Sequence, residues 1–100
     1  MKIRYLRGAR RNIADIADYI AEQNPSAAER VANRIQQVVA LLALRPGMGM
    51  SGLFPGTREF KIPGLPYQII YRVSAKTGTD ESLDILRVHH VRRRPPSADW

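Results

Sequence analysis

The sequence predicts a single α+β domain over residues 1–100. An antiparallel α-helical hairpin packs on one face of a small, mainly antiparallel four-stranded sheet, in the order β-α-α-β-β-β. Three observations predict it. Apolar residues recur at spacings of three and four on either side of Asn24-Pro25, the pattern of two amphipathic helices. Period-two alternation returns in 57–62, 67–73 and 83–90, the pattern of strands. A chain of 100 residues, 44% of them hydrophobic, has enough apolar side chain for one core and no more.

Lys2 to Leu6 alternate weakly as a first strand, which Gly8 ends. Ile13, Ile16, Ala17 and Ile20 then share a helical face opposite Asp15, Asp18 and Glu22, so a first helix runs from about Ala9 to Gln23. Asn24 caps a second helix and Pro25 supplies its fixed first-turn dihedral. Its stripe is Ala28, Val31, Ala32, Ile35, Val38, Val39 and Leu42, and Arg45-Pro46-Gly47 stops it. Two helices joined by about two residues fold back on each other. The Gly- and Pro-rich stretch 46–56 reads as a loop, Pro63 to Pro66 as a turn, and 74–82, with Gly78, as a polar connection.

Composition narrows the function. Without cysteine there are no disulfides, no thiol chemistry and no cysteine-ligated zinc, and a reducing cytoplasm suits the chain. The charged N-terminus lacks the apolar run of a signal peptide, and Val38 to Leu44 is too short to span a bilayer, so we expect a cytoplasmic protein with no membrane partner. A net charge of +7 and a pI near 10.6 imply an acidic partner of some kind.

Candidate site residues lie mostly on the predicted strands. In 67–73, Tyr67, Ile69, Tyr71 and Val73 belong on the helix side, which sends Arg72 to the open face with Gln68 and Ile70. Arg58 shares a face with Phe60 and Ile62, so its head must escape at the strand end or find an acid. In the last strand neither Leu83, Ile85, Arg87 and His89 nor Asp84, Leu86, Val88 and His90 is a cleanly apolar set. Arg58, Arg72, Arg87 and the run Arg92, Arg93, Arg94 read either as one cationic surface for phosphates or carboxylates, or as arginines paired with Glu59, Asp80 and Asp84. His89 and His90 suit a general acid or an ordinary strand end. Adjacent histidines point to opposite faces, so no metal site is expected, and no glycine pattern cradles a phosphate, so no cofactor is expected either. Met48, Met50, Leu53 and Phe54 form a contact patch on the loop or cover one end of the core; Trp100 docks on the sheet or hangs free.

Taken in order, the helical hairpin with Asn24-Pro25 at its turn, R-P-G-M-G, G-T-R-E-F, P-Y-Q-I-I-Y-R-V and I-L-R-V-H-H-V-R-R-R-P resemble the RelE/ParE superfamily of type II toxin–antitoxin toxins across nearly the whole chain. The resemblance implies a growth-inhibiting toxin neutralised by a cognate antitoxin. RelE-like members cleave mRNA on the ribosome and ParE-like members act on DNA gyrase. RelE-like nucleases carry an arginine after the tyrosine that opens the third strand, another just past the last strand, and a tyrosine near the C-terminus. Here Gln68 follows Tyr67, Arg92 or Arg93 takes the second position, and the last tyrosine is Tyr71. These departures favour the ParE-like reading, a binding toxin rather than an enzyme. Its antitoxin contacts are then expected at Arg58, Phe60, Arg72 and Arg87, and its target contacts at Met48, Met50, Leu53, Phe54, Arg92, Arg93, Arg94 and Trp100. The alternatives are a metal-independent endoribonuclease using Arg58, Arg72, His89 or His90, and Arg93 on ribosome and mRNA, or a degenerate member that only binds antitoxin.

Overall fold

A computed structural model describes residues 1–76 and 80–100; Gly78 of the polar connection lies outside the described residues. The elements are β1 (Lys2–Tyr5), α1 (Arg7–Ala21), α2 (Pro25–Leu44), a 3-10 turn (Pro46–Met48), β2 (Met50–Ser51), β3 (Arg58–Lys61), β4 (Tyr67–Lys76) and β5 (Asp80–His90). They build a five-stranded sheet in the order β1-β5-β4-β3-β2, antiparallel except for the β1–β5 pair. The expected α+β architecture is present. The extra strand is the two-residue β2, which pairs Met50 with Glu59 inside what the sequence reads as loop. No helix is long and apolar enough to cross a membrane among the described residues.

Asn24 caps α2 as its sequence requires, its Oδ1 accepting the Ala27 N–H at 3.2 Å, with Pro25 in the first turn. The buried α2 residues Ala28, Ile35, Val38, Val39 and Leu42 lie along the predicted stripe. Helix α1 starts two residues earlier than its periodicity suggests. The chain leaves β1 through Leu6 N–H donating to Ile85 O and enters the helix at once, Arg10 N–H donating to Leu6 O. Gly8 is therefore not strand punctuation. It sits in the first helical turn, with the Arg87 guanidinium packed where a Cβ would stand.

The core lies between the hairpin and one sheet face, where Ala9, Ile35, Val38, Val39 and Leu42 meet Ile62, Ile69, Tyr71, Leu83, Ile85 and Val88. A β-bulge explains why β5 has no clean parity. Ile85 opposes Tyr71 but Arg87 opposes Ile70, so Leu86 is an extra residue and the side-chain phase flips there. Leu83 and Ile85 before the bulge and Val88 and His90 after it share the helix side. Val73, expected inside, is 39% exposed. It lies where β4 runs on past the last β3 pairing at Tyr71 and so becomes an edge of the sheet, with β5 and β1 on its other side.

Tyr71 ties this core to the loop. Its hydroxyl accepts the Gly49 N–H at 2.9 Å and donates to Pro46 O at 2.6 Å. Gly49 is required here, because a Cβ would lie 2.9 Å from Glu59 O and against the Tyr71 ring.

Candidate functional site

The second sheet face is closed around a carboxylate. Asp84, fully buried, accepts from Arg4 Nε (3.1 Å) and Nη2 (3.0 Å), Ser74 Oγ (2.6 Å), Ser82 Oγ (2.9 Å) and Arg72 Nε (3.4 Å). Strand register assembles this set, since Arg4 and Arg72 both pair with Asp84 and Ser74 pairs with Ser82. Burial alone would raise the Asp84 pKa. Hydrogen bonds from Ser74, Arg4 and Ser82, with the Arg4 charge, outweigh it and hold the carboxyl below its ordinary value. Arg72 does face away from the helices as its parity requires, but as half of an internal ion pair.

The arginines form no single cationic surface, the first of the two readings: Arg72 and Arg87 share the second face, each paired with an acid, and Arg58 does not join them. Arg58 pairs with Tyr71, so it lies on the helix-side face, opposite Arg72. It finds no acid; its Nη1 donates to Gly49 O at 2.8 Å. Phe60 pairs with Ile69 on that same face and packs half-buried against the core. Arg87, turned by the bulge, donates to Leu86 O (2.7 Å) and Asp99 (3.2 Å) and stacks over Trp100 at 5.4 Å. The candidate nuclease set is likewise divided. Arg58 and His90 sit four strand positions apart, roughly 13 Å along the sheet, and His89 pairs with Gln68 on the opposite face from His90.

Other residues do come together. Trp100 docks, its ring edge-on to Phe54 at 5.0 Å, so the tail folds back to the 46–56 loop. Beside this pair Met50 and Leu53 are 79% and 66% exposed, an apolar patch on the expected target-binding loop, whereas Met48 is half-buried on the core. Arg92, Arg93 and Arg94 are exposed and make no ion pair among the described residues. Trp100, the one tryptophan in the sequence, reports directly on tail docking. Arg87→Ala should red-shift its emission and raise its quenching by iodide several-fold, with little change in far-UV circular dichroism.

Two concavities flank α1 and α2. A groove of about 420 Å³ lies between α2 and the β3–β4 turn, lined by Ala27, Arg30, Val31, Arg34, Pro63 and Leu65, with Arg34 Nη2 donating to Pro63 O at 3.4 Å. A cleft of about 450 Å³ lies between α1 and the end of β5; its lining includes Asn12, Asp15, Tyr19, Tyr67, His90 and Arg93. Asn12, Asp15 and Tyr19 were legible only as a helical row at spacings of three and four. Asp15, expected to face plain solvent, stands on the rim.

The model of the ParE toxin of the type II toxin–antitoxin system parDE matches residues 3–95. The chain belongs to the ParE toxin family. A Sinorhizobium fredii protein named as a candidate toxin, Y4kP, is 36% identical over 95 residues, spanning 95% of this chain and 93% of that protein. Among solved structures, a chain of the chromosomal ParDE toxin–antitoxin system from P. aeruginosa superimposes with a TM-score of 0.78 at 25% identity, covering 92% of this chain and 97% of that one. This is a ParE-type toxin of a type II toxin–antitoxin system. Within that frame the Asp84 cluster holds the strands of the ParE sheet together, and the exposed chemistry lies at the loop, the tail and the two concavities.

Proposed function

We propose that this ParE-type toxin arrests growth by binding DNA gyrase, and that a cognate antitoxin neutralises it by covering the α2 groove. The observation that carries the binding reading is the second sheet face. Arg4 and Arg72 both close onto Asp84, Arg87 on the same face is engaged by Leu86 O and Asp99, and Gln68, four positions along β4 from Arg72, stands where a cleaving relative would present an arginine. A phosphorane needs an uncommitted cation to stabilise it, and these are committed. Target contact is then assigned to the apolar patch of Met50, Leu53, Phe54 and Trp100, with the exposed arginine run beyond β5 as a separate cationic contact.

The chain's likeness to a ParDE system supports an antitoxin partner. The α2 groove has an apolar floor of Ala27, Val31 and Leu65 between Arg30 and Arg34, which suits an amphipathic segment with acids along its edge. These two arginines replace Arg58 and Arg72 as the charge partners, because Arg58 and Arg72 lie on opposite faces. Arg30→Glu with Arg34→Glu should weaken antitoxin binding about tenfold or more, mostly in the salt-sensitive part. Unchanged affinity removes the groove from the interface.

A second reading, RelE-like cleavage of mRNA on the ribosome, draws on His90 and Arg93 lining one cleft. Expression without antitoxin tests the proposal in cells. Growth arrest with broken chromosomal DNA and intact message is expected. Arrest with cut message favours the nuclease, and no arrest favours a member that only binds antitoxin.

A further inference from the structure

β1 pairs with β5 only from Ser82 to Ile85, so the edge of β5 beyond the bulge faces α1, and the cleft opens there. Its polar groups are held in fixed roles. Arg92 N–H donates to His90 Nδ1 at 3.1 Å, which places the proton of the neutral ring on Nε2 and makes that atom a donor. Val88 N–H donates to Asn12 Oδ1 at 3.0 Å, leaving the Asn12 amide N–H groups to donate as well. Arg93 is fixed through its backbone, its N–H donating to His90 O at 3.0 Å and its carbonyl meeting His89 Nε2 at 3.0 Å, while its guanidinium makes no ion pair among the described residues. The cleft is thus rich in donors.

The same cleft carries a carboxylate and two aromatic rings. Tyr67 is held edge-on to His90 at 5.5 Å, and Tyr19 is 65% exposed. Asp15 stands one helical turn from Tyr19, with no ion-pair partner among the described residues. Donors for an anion, rings for stacking and a lone carboxylate for paired N–H groups are the recognition elements of a nucleotide. The volume of about 450 Å³ falls within the range of small-ligand sites.

We propose that this cleft is a nucleotide site, with the phosphate at Arg93 and His90, the base against Tyr19 and Tyr67, and Asp15 selecting guanine. Guanine alone among the common bases offers a ring N–H and an adjacent exocyclic amine to the two oxygens of one carboxylate. The site requires neither gyrase nor antitoxin, so it fails or survives separately from the proposed function.

The test titrates the full chain with GMP, UMP and short single-stranded oligonucleotides of guanine or uridine, following His90 and Tyr19 resonances by NMR. Saturable binding with GMP preferred over UMP is expected. Arg93→Ala should weaken GMP binding about tenfold, and Asp15→Asn should remove the preference for guanine. Tyr19→Ala, at an exposed position that leaves the fold intact, should weaken every ligand that binds. Comparable GMP and oligonucleotide affinities identify a free nucleotide as the ligand, whereas binding of the guanine oligonucleotide alone identifies a strand. No saturation by either guanine ligand at millimolar concentration overturns the proposal. So does binding unchanged in both Arg93→Ala and Tyr19→Ala, and so does equal affinity for guanine and uracil.

Discussion

Asp84→Asn lowers the stability of the folded chain by about 3 kcal/mol, which for a domain of this size moves the melting temperature down by roughly 15 °C. The substitution keeps the shape and removes the charge. Arg4 and Arg72 then face an amide in place of the carboxylate that both approach, and one of Ser74 and Ser82, which donate to different oxygens, loses its acceptor to the new NH2 group. The two arginine side chains are 39% and 35% exposed and recover part of their hydration, which keeps the cost below that of a fully buried pair. pH gives an independent signature. Because the folded pKa of Asp84 lies below its ordinary 3.8, its stabilisation is complete above that value and is lost as pH falls through the folded one. Urea melts from pH 6 to pH 2 should show the wild type losing stability more steeply than Asp84→Asn, the two curves converging at the acid end. Parallel curves would mean that the cluster does not hold the sheet.

Tyr71→Phe costs about 2 kcal/mol and acts at the loop. The Tyr71 hydroxyl both accepts from Gly49 N–H and donates to Pro46 O, so its loss strands a buried donor and an acceptor at once. Gly49 is still held through its carbonyl by Arg58, so the 3-10 turn loosens rather than unfolds. Hydrogen exchange at Gly49 should accelerate more than exchange in α2. Burial raises the Tyr71 pKa above 10.0, although the Gly49 hydrogen bond and the Arg58 charge oppose the shift. The folded state therefore favours the protonated phenol. That contribution is whole below pH 10 and is lost as pH rises through the folded value, so the gap between wild type and Tyr71→Phe should narrow in alkaline melts.

The fold was largely written in local pattern. Asn24-Pro25, the α2 stripe and the alternation around Tyr67 to Val73 each depend on residues a few positions apart, and the structure follows them. What escaped depends on distant partners. The bulge at Leu86 left a trace, because Leu83 and Ile85 are in one phase and Val88 in the other, but only pairing with Ile70 and Tyr71 locates it. Gly8 looked like a strand end because nothing nearby in sequence reveals Arg87 above it. At the candidate site, the outward direction of Arg72 was readable from parity, whereas its closure onto Asp84 required the register of β1, β4 and β5. The docking of Trp100 on Phe54 joins the chain's last residue to a mid-chain loop, a contact that no periodicity encodes.

Binding of gyrase, and not the cutting of RNA, is the action proposed for this ParE-type toxin. Its most direct test adds the purified chain to gyrase with relaxed plasmid and ATP, with a parallel reaction on translating ribosomes. Blocked supercoiling, linear plasmid released after detergent and protease, and uncut message are the predicted results. Normal supercoiling with message cut at codon-spaced positions would contradict it.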